Sequence, residues 1–287
     1  MTADYQRPET LAEAQRIAAA GPVRVAAGCT DLFPATDRPA LELAAETPVL
    51  DITAIAELRG ITPEPNGLRI GATTTWSALA AADLPPAFDG LKAAAREVGS
   101  IQIQNAGTVA GNLCNASPAA DGVPPLLTLE AEVELSSVRG TRRLALAEFL
   151  TGPRQTARAA DEILTAIRVP PAAMAGRSAF AKLGARKYLV ISIAMISARV
   201  VEAGGHVTEA AVAVGSCSAV AARLPALEAA LIGTRVDALA ERATDALIAP
   251  ALAPIDDIRA DAAYRSTAAG TLVRRVLDGL APQGALA

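Results

Sequence analysis

The stretch NAGTVAGNLCNASPAADGVPPLL, from Asn105 to Leu127, differs in composition from an ordinary core segment. It consists largely of Gly, Ala, Ser, Asn and Pro, and no Lys, Arg or His occurs between Asn105 and Val138. Small residues allow a backbone to approach another group closely. An anion bound here would have to be held by donors other than basic side chains of the stretch itself. The composition therefore predicts a backbone that wraps closely around a partner group.

The overall composition limits the class of protein. With 287 residues the chain is long enough for two domains. Hydrophobic residues make up 52% of the chain and charged residues 20%, which is typical of a globular protein rather than a disordered one. The net charge of −4 and the absence of a basic stripe argue against nucleic-acid binding.

The N-terminus and the cysteines indicate a cytoplasmic protein. The opening residues, MTADYQRPETLAEA, contain no apolar leader, and no run of the sequence reaches the length of a membrane span. The three cysteines, Cys29, Cys114 and Cys217, are odd in number and far apart. This pattern favours a reducing compartment and no disulfide framework.

The single histidine, His206, narrows the chemistry available to the chain. It lies in VVEAGGHVTEAAV, a pattern typical of a tight turn between two strands, and we expect it to be solvated. Without a second histidine or a cysteine pair, we expect no metal site. We also expect no catalytic residue on this chain, so any enzymatic reactivity would come from an organic cofactor.

The pattern of elements predicts an α+β protein. Strands and helices alternate in the first part, with a hairpin around Arg139-Gly140 and a strand in DEILTAIRVP. The segment PPAAMAGR, residues 170–177, lacks periodicity and marks the expected domain boundary. After it come three strands, AFAKLGAR, YLVISIAMISARVV and HVTEAAVAVGSCS. Helices would then cover one face of their sheet, and the sequence predicts them in LPALEAALIG, VDALAERATDALI and DAAYRSTAAGTLVRRVLDGL.

Two segments share one composition, AAGCTDLFP (26–34) and GTVAGNLCNASPAAD (107–121). Both combine Gly with Thr, Ser or Asn and contain no basic residue. Several backbone N–H groups that point at a diphosphate can hold it without Lys or Arg. Neither segment matches the Rossmann or Walker A pattern, however. Two tight glycine turns that merely cover a core remain an equal alternative on spacing alone.

The two segments also resemble the motifs of a known family. AAGCTDLFP resembles A-G-G-T-D-L-x-P, and GSIQIQNAGTVAGNLCNASPAADGVPPLL is similar to Q-I-R-N-x-G-T-x-G-G-N…A-S-P-x-x-D-x-x-P. These are signatures of the FAD-binding (medium) subunits of molybdenum hydroxylases, the xanthine dehydrogenase and carbon monoxide dehydrogenase flavoprotein family. The resemblance extends from about residue 5 to residue 280.

The resemblance implies a fold and a domain division. The fold would be an FAD-binding domain of the PCMH type, made of two α/β subdomains, over residues 1–170. A CO dehydrogenase flavoprotein C-terminal domain, a three-stranded antiparallel sheet with helices, would follow over residues 177–282.

The resemblance also implies cofactor-binding residues. The first FAD loop, around the pyrophosphate, would be Ala27, Gly28, Cys29, Thr30, Asp31 and Leu32. The second would be Gly107, Thr108, Val109, Gly111 and Asn112, with Ser117 and Asp121 further along the same wrap. Leu164 and Lys182 match the positions that touch the isoalloxazine or its edge. We expect Asp121 to hydrogen-bond the ribityl or ribose part; the alternative for Lys182 is a strand residue that points to solvent.

The sequence departs from the family pattern at two positions. Cys29 and Ala110 stand where the motifs usually have Gly. Neither change removes a backbone N–H, but a β-carbon adds strain wherever φ has to be positive. We interpret Cys29 and Cys114 as small residues packed near the cofactor. Covalent flavin links and cluster ligands are the less favoured alternative, because an iron–sulfur cluster normally takes four ligands.

The function implied by the resemblance is electron transfer. The chain would be the FAD subunit of a molybdenum hydroxylase, an oxidoreductase. An iron–sulfur small subunit with two 2Fe–2S clusters and a molybdopterin-binding large subunit would be its partners, and NAD⁺ or a quinone its electron acceptor. A self-sufficient FAD-dependent oxidoreductase using Arg186, Lys187 and Tyr188 is one alternative. A flavin-free partner-binding protein is another.

Overall fold

The computed structural model describes residues 5–34, 47–187 and 189–281. The strands are β1 (Tyr5–Gln6), β2 (Arg24–Ala26), β3 (Val49–Asp51), β4 (Ile61–Glu64), β5 (Gly67–Gly71), β6 (Glu132–Ser137), β7 (Gly140–Ala145), β8 (Leu150–Gly152), β9 (Gln155–Thr156), β10 (Ile163–Val169), β11 (Arg177–Leu183), β12 (Ala194–Ala203), β13 (His206–Gly215) and β14 (Ala222–Arg223). The α-helices are α1 (Leu11–Ala20), α2 (Trp76–Ala81), α3 (Asp89–Glu97), α4 (Ile101–Ala106), α5 (Val109–Asn115), α6 (Val123–Thr128), α7 (Leu146–Phe149), α8 (Pro225–Leu231), α9 (Leu239–Arg242), α10 (Asp245–Ile248) and α11 (Ala262–Gly279). Short 3-10 turns cover Ala56–Leu58, Pro86–Phe88, Pro171–Met174 and Ala249–Ala251.

Three larger sheets organise the described chain, and β8 pairs with β9 in a separate two-stranded sheet. The first is a small parallel sheet in the order β1-β3-β2, on which α1 packs through Ala14 and Ala18. The second is antiparallel, in the order β4-β5-β10-β6-β7. The third is the antiparallel sheet β11-β12-β13-β14. The α+β class predicted from the sequence is therefore confirmed, and the third sheet adds the two-residue β14 to the three expected strands.

Local sequence sets the ends of the longest helices. The hydroxyl of Thr10 accepts a hydrogen bond from the Glu13 N–H at the start of α1, and Gly21 follows its last residue. The carboxylate of Asp261 caps α11 in the same way by accepting from the Tyr264 N–H at 2.6 Å. One face of α11 carries apolar residues that pack on the third sheet.

The third sheet is covered on both faces. Residues 194–200 of β12 are all buried, because α11 packs on one side and α6, from the first part of the chain, packs on the other. Arg199 of β12 is 2% exposed, and its Nε donates to the Thr128 carbonyl of α6 at 2.9 Å. The helices that follow the sheet thus cover one face, as expected, and the N-terminal part of the chain covers the other.

Two expectations about elements were wrong in extent. The apolar run from residue 188 to 201 was expected to form one buried strand, but β12 begins only at Ala194. Leu189 and Ile191 are more than half exposed in the preceding connection, and Tyr188 lies outside the described residues. The run VDALAERATDALI forms α9 and α10 rather than one helix, because Ala243 and Thr244 leave the helical conformation between them.

Arg265 of α11 joins three connections of the C-terminal part. Its Nη1 donates to the carbonyl oxygens of Ile193 (2.7 Å) and Ser216 (3.0 Å), and its Nη2 donates to Asp257 (2.6 Å). Burial raises the pKa of the Asp257 carboxyl. The backbone N–H of Arg259 and the Arg265 and Arg259 guanidinium groups outweigh that effect and lower the pKa to about 2.

This depressed pKa predicts an acid-sensitive contribution to stability. An unfolded Asp titrates near about 3.9, so the contribution of Asp257 is present above that pH and is lost as the pH falls through about 2. We expect the free energy of unfolding of the wild type to fall more steeply between pH 4 and pH 2 than that of Asp257→Asn. Urea unfolding followed across this pH range measures both slopes. Parallel slopes would contradict the attribution of this acid-sensitive stability to Asp257.

Candidate functional site

A cleft of about 760 Å³ lies between the segment that follows β2, the region of α4 and α5, and strands β9 and β10. Its volume is within the range usual for small-molecule and cofactor sites. Ten of the fifteen cofactor-binding residues predicted from the sequence line it. They are Ala27, Gly28, Cys29, Thr30, Asp31, Leu32, Thr108, Gly111, Asn112 and Leu164. The structure therefore brings together most of a site whose members lie far apart in the sequence.

The two predicted segments touch each other at Gly28. A β-carbon at this position would lie 2.7 Å from the Gly107 Cα and closer still to the Ala106 carbonyl oxygen. A β-carbon at Gly107 would in turn lie 3.2 Å from the Thr30 hydroxyl oxygen. Only glycine permits this approach of two backbones, so Gly28 and Gly107 set the distance between the two sides of the cleft.

About half of the second predicted segment is helical. Helix α5 starts directly after Thr108, whose hydroxyl accepts a hydrogen bond from the Gly111 N–H at 3.0 Å. It ends at Asn115, and the next residue, Ala116, has a left-handed φ of +47°. Its small residues thus serve tight packing within a helix and its caps, as well as backbone approach to the cleft.

The two departures from the family motif differ in their backbone conformation. Cys29 has a φ of +56°, in the left-handed region that glycine adopts without strain. Ala110 lies in α5 and is absent from the residues with positive φ. The concern about strain therefore applies to Cys29 and not to Ala110.

The thiols near the cleft are protonated at neutral pH. Burial raises the pKa of the Cys29 thiol, and the nearby Asp51 carboxylate adds to the rise. Cys114 faces the cleft, where solvent can reach it, but protein atoms surround it closely enough that burial raises its pKa to about 11. The thiolate is the reactive form of cysteine, so neither residue is poised for nucleophilic chemistry.

Apolar side chains form two walls of the cleft. Val25 lies in β2 of the small parallel sheet, Ile52 directly follows β3, and Ile163 and Leu164 come from the start of β10. Trp76, the only tryptophan of the chain, is 1% exposed and lines the cleft from the start of α2. Flat apolar walls of this kind suit the ring systems of a nucleotide or a flavin.

Three arginines that the sequence reasoning missed also line the cleft. Arg24 lies in β2, just before the first motif, and its side chain has no charged partner among the described residues. Arg154 bonds the neutral Asn115 side chain, and Arg158 bonds the backbone carbonyls of residues 159, 160 and 162. The two motifs lack basic residues, but the cleft does not, because its arginines come from outside the motifs.

The other five predicted residues do not line the cleft. Gly107 sits behind the first segment, Val109 is fully buried in the core, and the hydroxyl of Ser117 accepts a hydrogen bond from the nearby Ala119 N–H. Asp121 and Lys182 pair with each other at 2.6 Å, with side chains that are 8% and 6% exposed. Their direct contact with a cofactor stays a prediction. The alternative that Lys182 points to solvent is wrong.

The donor set of the cleft fits a dinucleotide. No described residue accepts a hydrogen bond from the backbone N–H groups of Gly28, Cys29 or Thr30, so within the described part of the chain nothing competes with a ligand for these donors. Asn112 lines the cleft, and its buried Oδ1 has no donor among the described residues. A buried acceptor without a donor is uncommon in a folded protein, and a ligand hydroxyl or N–H would satisfy the amide. Backbone N–H groups, arginines and hydroxyls for phosphates, with apolar walls for rings, match the chemistry of FAD.

Comparison with protein families gives two matches that follow each other along the chain. Residues 1–172 match the FAD binding domain in molybdopterin dehydrogenase, and residues 178–280 match the CO dehydrogenase flavoprotein C-terminal domain. The chain therefore belongs to the family of FAD-binding domains in molybdopterin dehydrogenases. FAD as its cofactor, expected from the sequence, is confirmed by this membership.

Individual relatives agree with the family assignment. The nicotinate dehydrogenase FAD-subunit of Eubacterium barkeri is 42% identical over 149 residues, which is 50% of each chain, so that match spans about half of the relative. The carbon monoxide dehydrogenase medium chain of Afipia carboxidovorans is 31% identical over 96% of this chain and 95% of its own. A chain of the reconstituted CO dehydrogenase from Oligotropha carboxidovorans superimposes with a TM-score of 0.84 at 30% identity, covering 97% of each chain.

The backbone conformations of Cys29 and Ala110 predict that replacement by glycine changes stability in opposite directions at the two positions. We expect Cys29→Gly to raise the free energy of unfolding by up to about 1 kcal/mol, because it relieves a left-handed conformation that costs roughly 1–2 kcal/mol. We expect Ala110→Gly to lower it by about 1 kcal/mol, because Gly is unfavourable within a helix. Denaturant unfolding of both variants measures the signs; the same sign for both would refute the distinction.

Proposed function

We propose that this chain is the FAD-holding, electron-transferring subunit of a molybdenum hydroxylase of the xanthine or carbon monoxide dehydrogenase type. Bound FAD would supply the electron-carrying chemistry, between 2Fe–2S clusters of an iron–sulfur small subunit and an external acceptor such as NAD⁺ or a quinone. A large molybdopterin-binding subunit would oxidise the substrate. The carbon monoxide dehydrogenase relative is itself named a medium chain, which supports a multi-chain assembly.

The single observation that carries the proposal is the cleft whose two sides are brought together at Gly28 and Gly107. Its first segment offers the N–H groups of Gly28, Cys29 and Thr30 from one side, and Thr108 and Asn112 face it from the other. We assign these groups to the pyrophosphate and its neighbouring hydroxyls. Backbone donors are already oriented before the ligand arrives, so they bind a diphosphate at little entropic cost.

The arginines add a charge that the two motifs lack. Arg24 and Arg154 have no acidic partner among the described residues, although both line the cleft. A pair of phosphates entering the cleft would meet positive charge that is only partly screened, in a region of reduced dielectric. We infer that these arginines contribute to the attraction of the dinucleotide.

The described lining of the cleft offers no acid–base device. Its carboxylates are Asp31 and Glu162, and Glu162 is held by the Arg142 guanidinium at 2.6 Å, which lowers its pKa. His206, the only histidine, is exposed on the β12–β13 hairpin, outside the cleft. A carrier of electrons needs no general base, so this lining favours electron transfer over a self-sufficient flavoenzyme.

The groups proposed for the self-sufficient alternative are poorly placed. Arg186 and Lys187 are exposed and do not line the cleft, and Tyr188 lies outside the described residues. No described residue therefore supports direct turnover of a small substrate. The flavin-free alternative has no remaining support, since the chain belongs to a family of FAD-binding domains.

We also propose that the chain divides into an FAD-binding domain, residues 1–170, and a C-terminal domain, residues 177–282. The large apolar cluster around Trp76, Phe88 and Phe149 draws almost entirely on residues before 174. A second cluster around β12, β13 and α11 draws on residues after 178. Two separate cores support two domains.

None of the helices in the described part of the chain has both the length and the hydropathy of a membrane span.

The position of Trp76 provides a direct test of FAD binding. Because the only tryptophan lines the cleft, we expect FAD to quench the intrinsic fluorescence saturably. Gly28→Ala should abolish the quenching, since the added methyl group collides with the Ala106 carbonyl. Gly21→Ala is the matched control, because nothing lies within 4 Å of its added β-carbon. Equal quenching in the two variants would refute the site.

The electron path is tested in the assembled complex. We expect the chain to purify with two partner chains, one containing iron and sulfur and one containing molybdenum. Gly28→Ala in this complex should block delivery of electrons to NAD⁺ or a quinone but leave substrate oxidation with an artificial acceptor intact. Loss of both reactions together, or turnover by the isolated chain, would contradict the proposed role.

A further inference from the structure

The buried carboxylate of Asp121 uses both of its oxygens within the protein. Oδ2 receives a hydrogen bond from the Lys182 ammonium at 2.6 Å, and Oδ1 receives one from the Ser192 hydroxyl at 2.6 Å. Asp121 is 7% exposed and Ser192 is 1% exposed. Asp121 belongs to the wrap that follows α5, whereas both donors belong to the C-terminal sheet region.

The two donors lie on either side of one connection. Lys182 is in β11, and Ser192 lies two residues before the start of β12. Next to these donors, the Ile193 N–H donates to the Leu183 carbonyl at 2.7 Å, which closes the base of the connection. A single carboxylate therefore holds both ends of the β11–β12 connection against the FAD-binding part of the chain.

The same group supports the wall of the cleft from behind. Gly122, next to Asp121, packs so tightly against Trp76 that a β-carbon would collide with the indole and lie 3.1 Å from the Asn112 Oδ1. Trp76 and Asn112 both line the cleft. A shift of Asp121 would move Gly122 and thereby displace two lining side chains.

The Lys182 ammonium reaches a second wall. It donates to the Glu97 carbonyl at 3.2 Å, one residue before Val98, which lines the cleft. The ion pair thus contacts the backbone behind two different walls, although neither of its members lines the cleft. Closely packed interiors transmit such displacements instead of absorbing them.

We propose that Asp121 is a positioning residue that makes retention of FAD depend on the C-terminal sheet. The inference rests on the proposed function. Asp121 binds the β11–β12 connection through Lys182 and Ser192 and fixes the Trp76, Asn112 and Val98 walls from behind. The C-terminal domain then contributes to cofactor affinity by holding these walls in place.

Ser192→Ala is the informative variant. Removing Asp121 or Lys182 would leave an unpaired buried charge and could prevent folding. Ser192→Ala leaves the ion pair intact and removes one hydrogen bond to a charged acceptor, from a residue that does not line the cleft. Ser197→Ala is the matched control. Its hydroxyl is equally buried in β12 but bonds the Ala179 carbonyl and the Thr128 hydroxyl, not Asp121.

The experiment measures release of FAD from the full-length chain by the recovery of Trp76 fluorescence, together with the thermal midpoint. Hydrogen bonds to charged groups are among the stronger ones in proteins, so we expect Ser192→Ala to release FAD about tenfold faster than the wild type. Ser197→Ala should release it at the wild-type rate, whatever its thermal midpoint. Trypsin should also cut after Arg186 faster in Ser192→Ala than in Ser197→Ala.

The outcomes separate this inference from the proposed function. Equal release rates for the two variants would overturn the positioning role, even if trypsin distinguished them, because the bond would then only anchor the connection. Loss of FAD that tracked the thermal midpoint in both variants would overturn it as well. A wild-type chain that binds no FAD would instead overturn the proposed function itself, and this inference with it.

Discussion

The contact between two backbones at Gly28 is the constraint on which the cleft depends. The segment that follows β2 passes so close to Ala106 and Gly107 that no β-carbon fits between them. This approach fixes the small parallel sheet relative to α5, and with it the spacing of the donors on the two sides. The apolar walls and the arginines then have a defined volume to line. Gly28 therefore acts first on the contact between two protein segments. It affects the cofactor through the spacing that this contact sets.

The sequence contained enough to predict the fold class and most of the cleft. Local signals such as the Arg139-Gly140 hairpin and the strand around Leu164 lie within short stretches, so each could be found without tertiary knowledge. Ten of the fifteen predicted site residues line the cleft because the motifs themselves form it. The family resemblance was needed to choose between a diphosphate site and two ordinary turns.

What could not be predicted depends on tertiary contacts. Arg24, Arg154 and Arg158 reach the cleft from segments that carry no motif, so no local pattern distinguished them from surface arginines. The pairing of Asp121 with Lys182 joins residues 61 positions apart, on opposite sides of the expected domain boundary. The start of β12 at Ala194 was missed because the apolar residues before it are exposed in a connection, and hydropathy alone does not separate the two cases.

Three of the six described residues other than glycine that have a left-handed φ lie in or beside the cleft. Cys29 and Arg154 line it with φ of +56° and +59°, and the Arg154 N–H donates to the carbonyl of Ala116, itself at +47°. Each such residue costs roughly 1–2 kcal/mol, and a ligand that binds only the folded chain offsets that cost by mass action. A chain without its cofactor is then the more readily opened and degraded form in the cell. The abundance of this protein would consequently follow the supply of flavin, so riboflavin starvation would deplete the polypeptide itself as well as its activity.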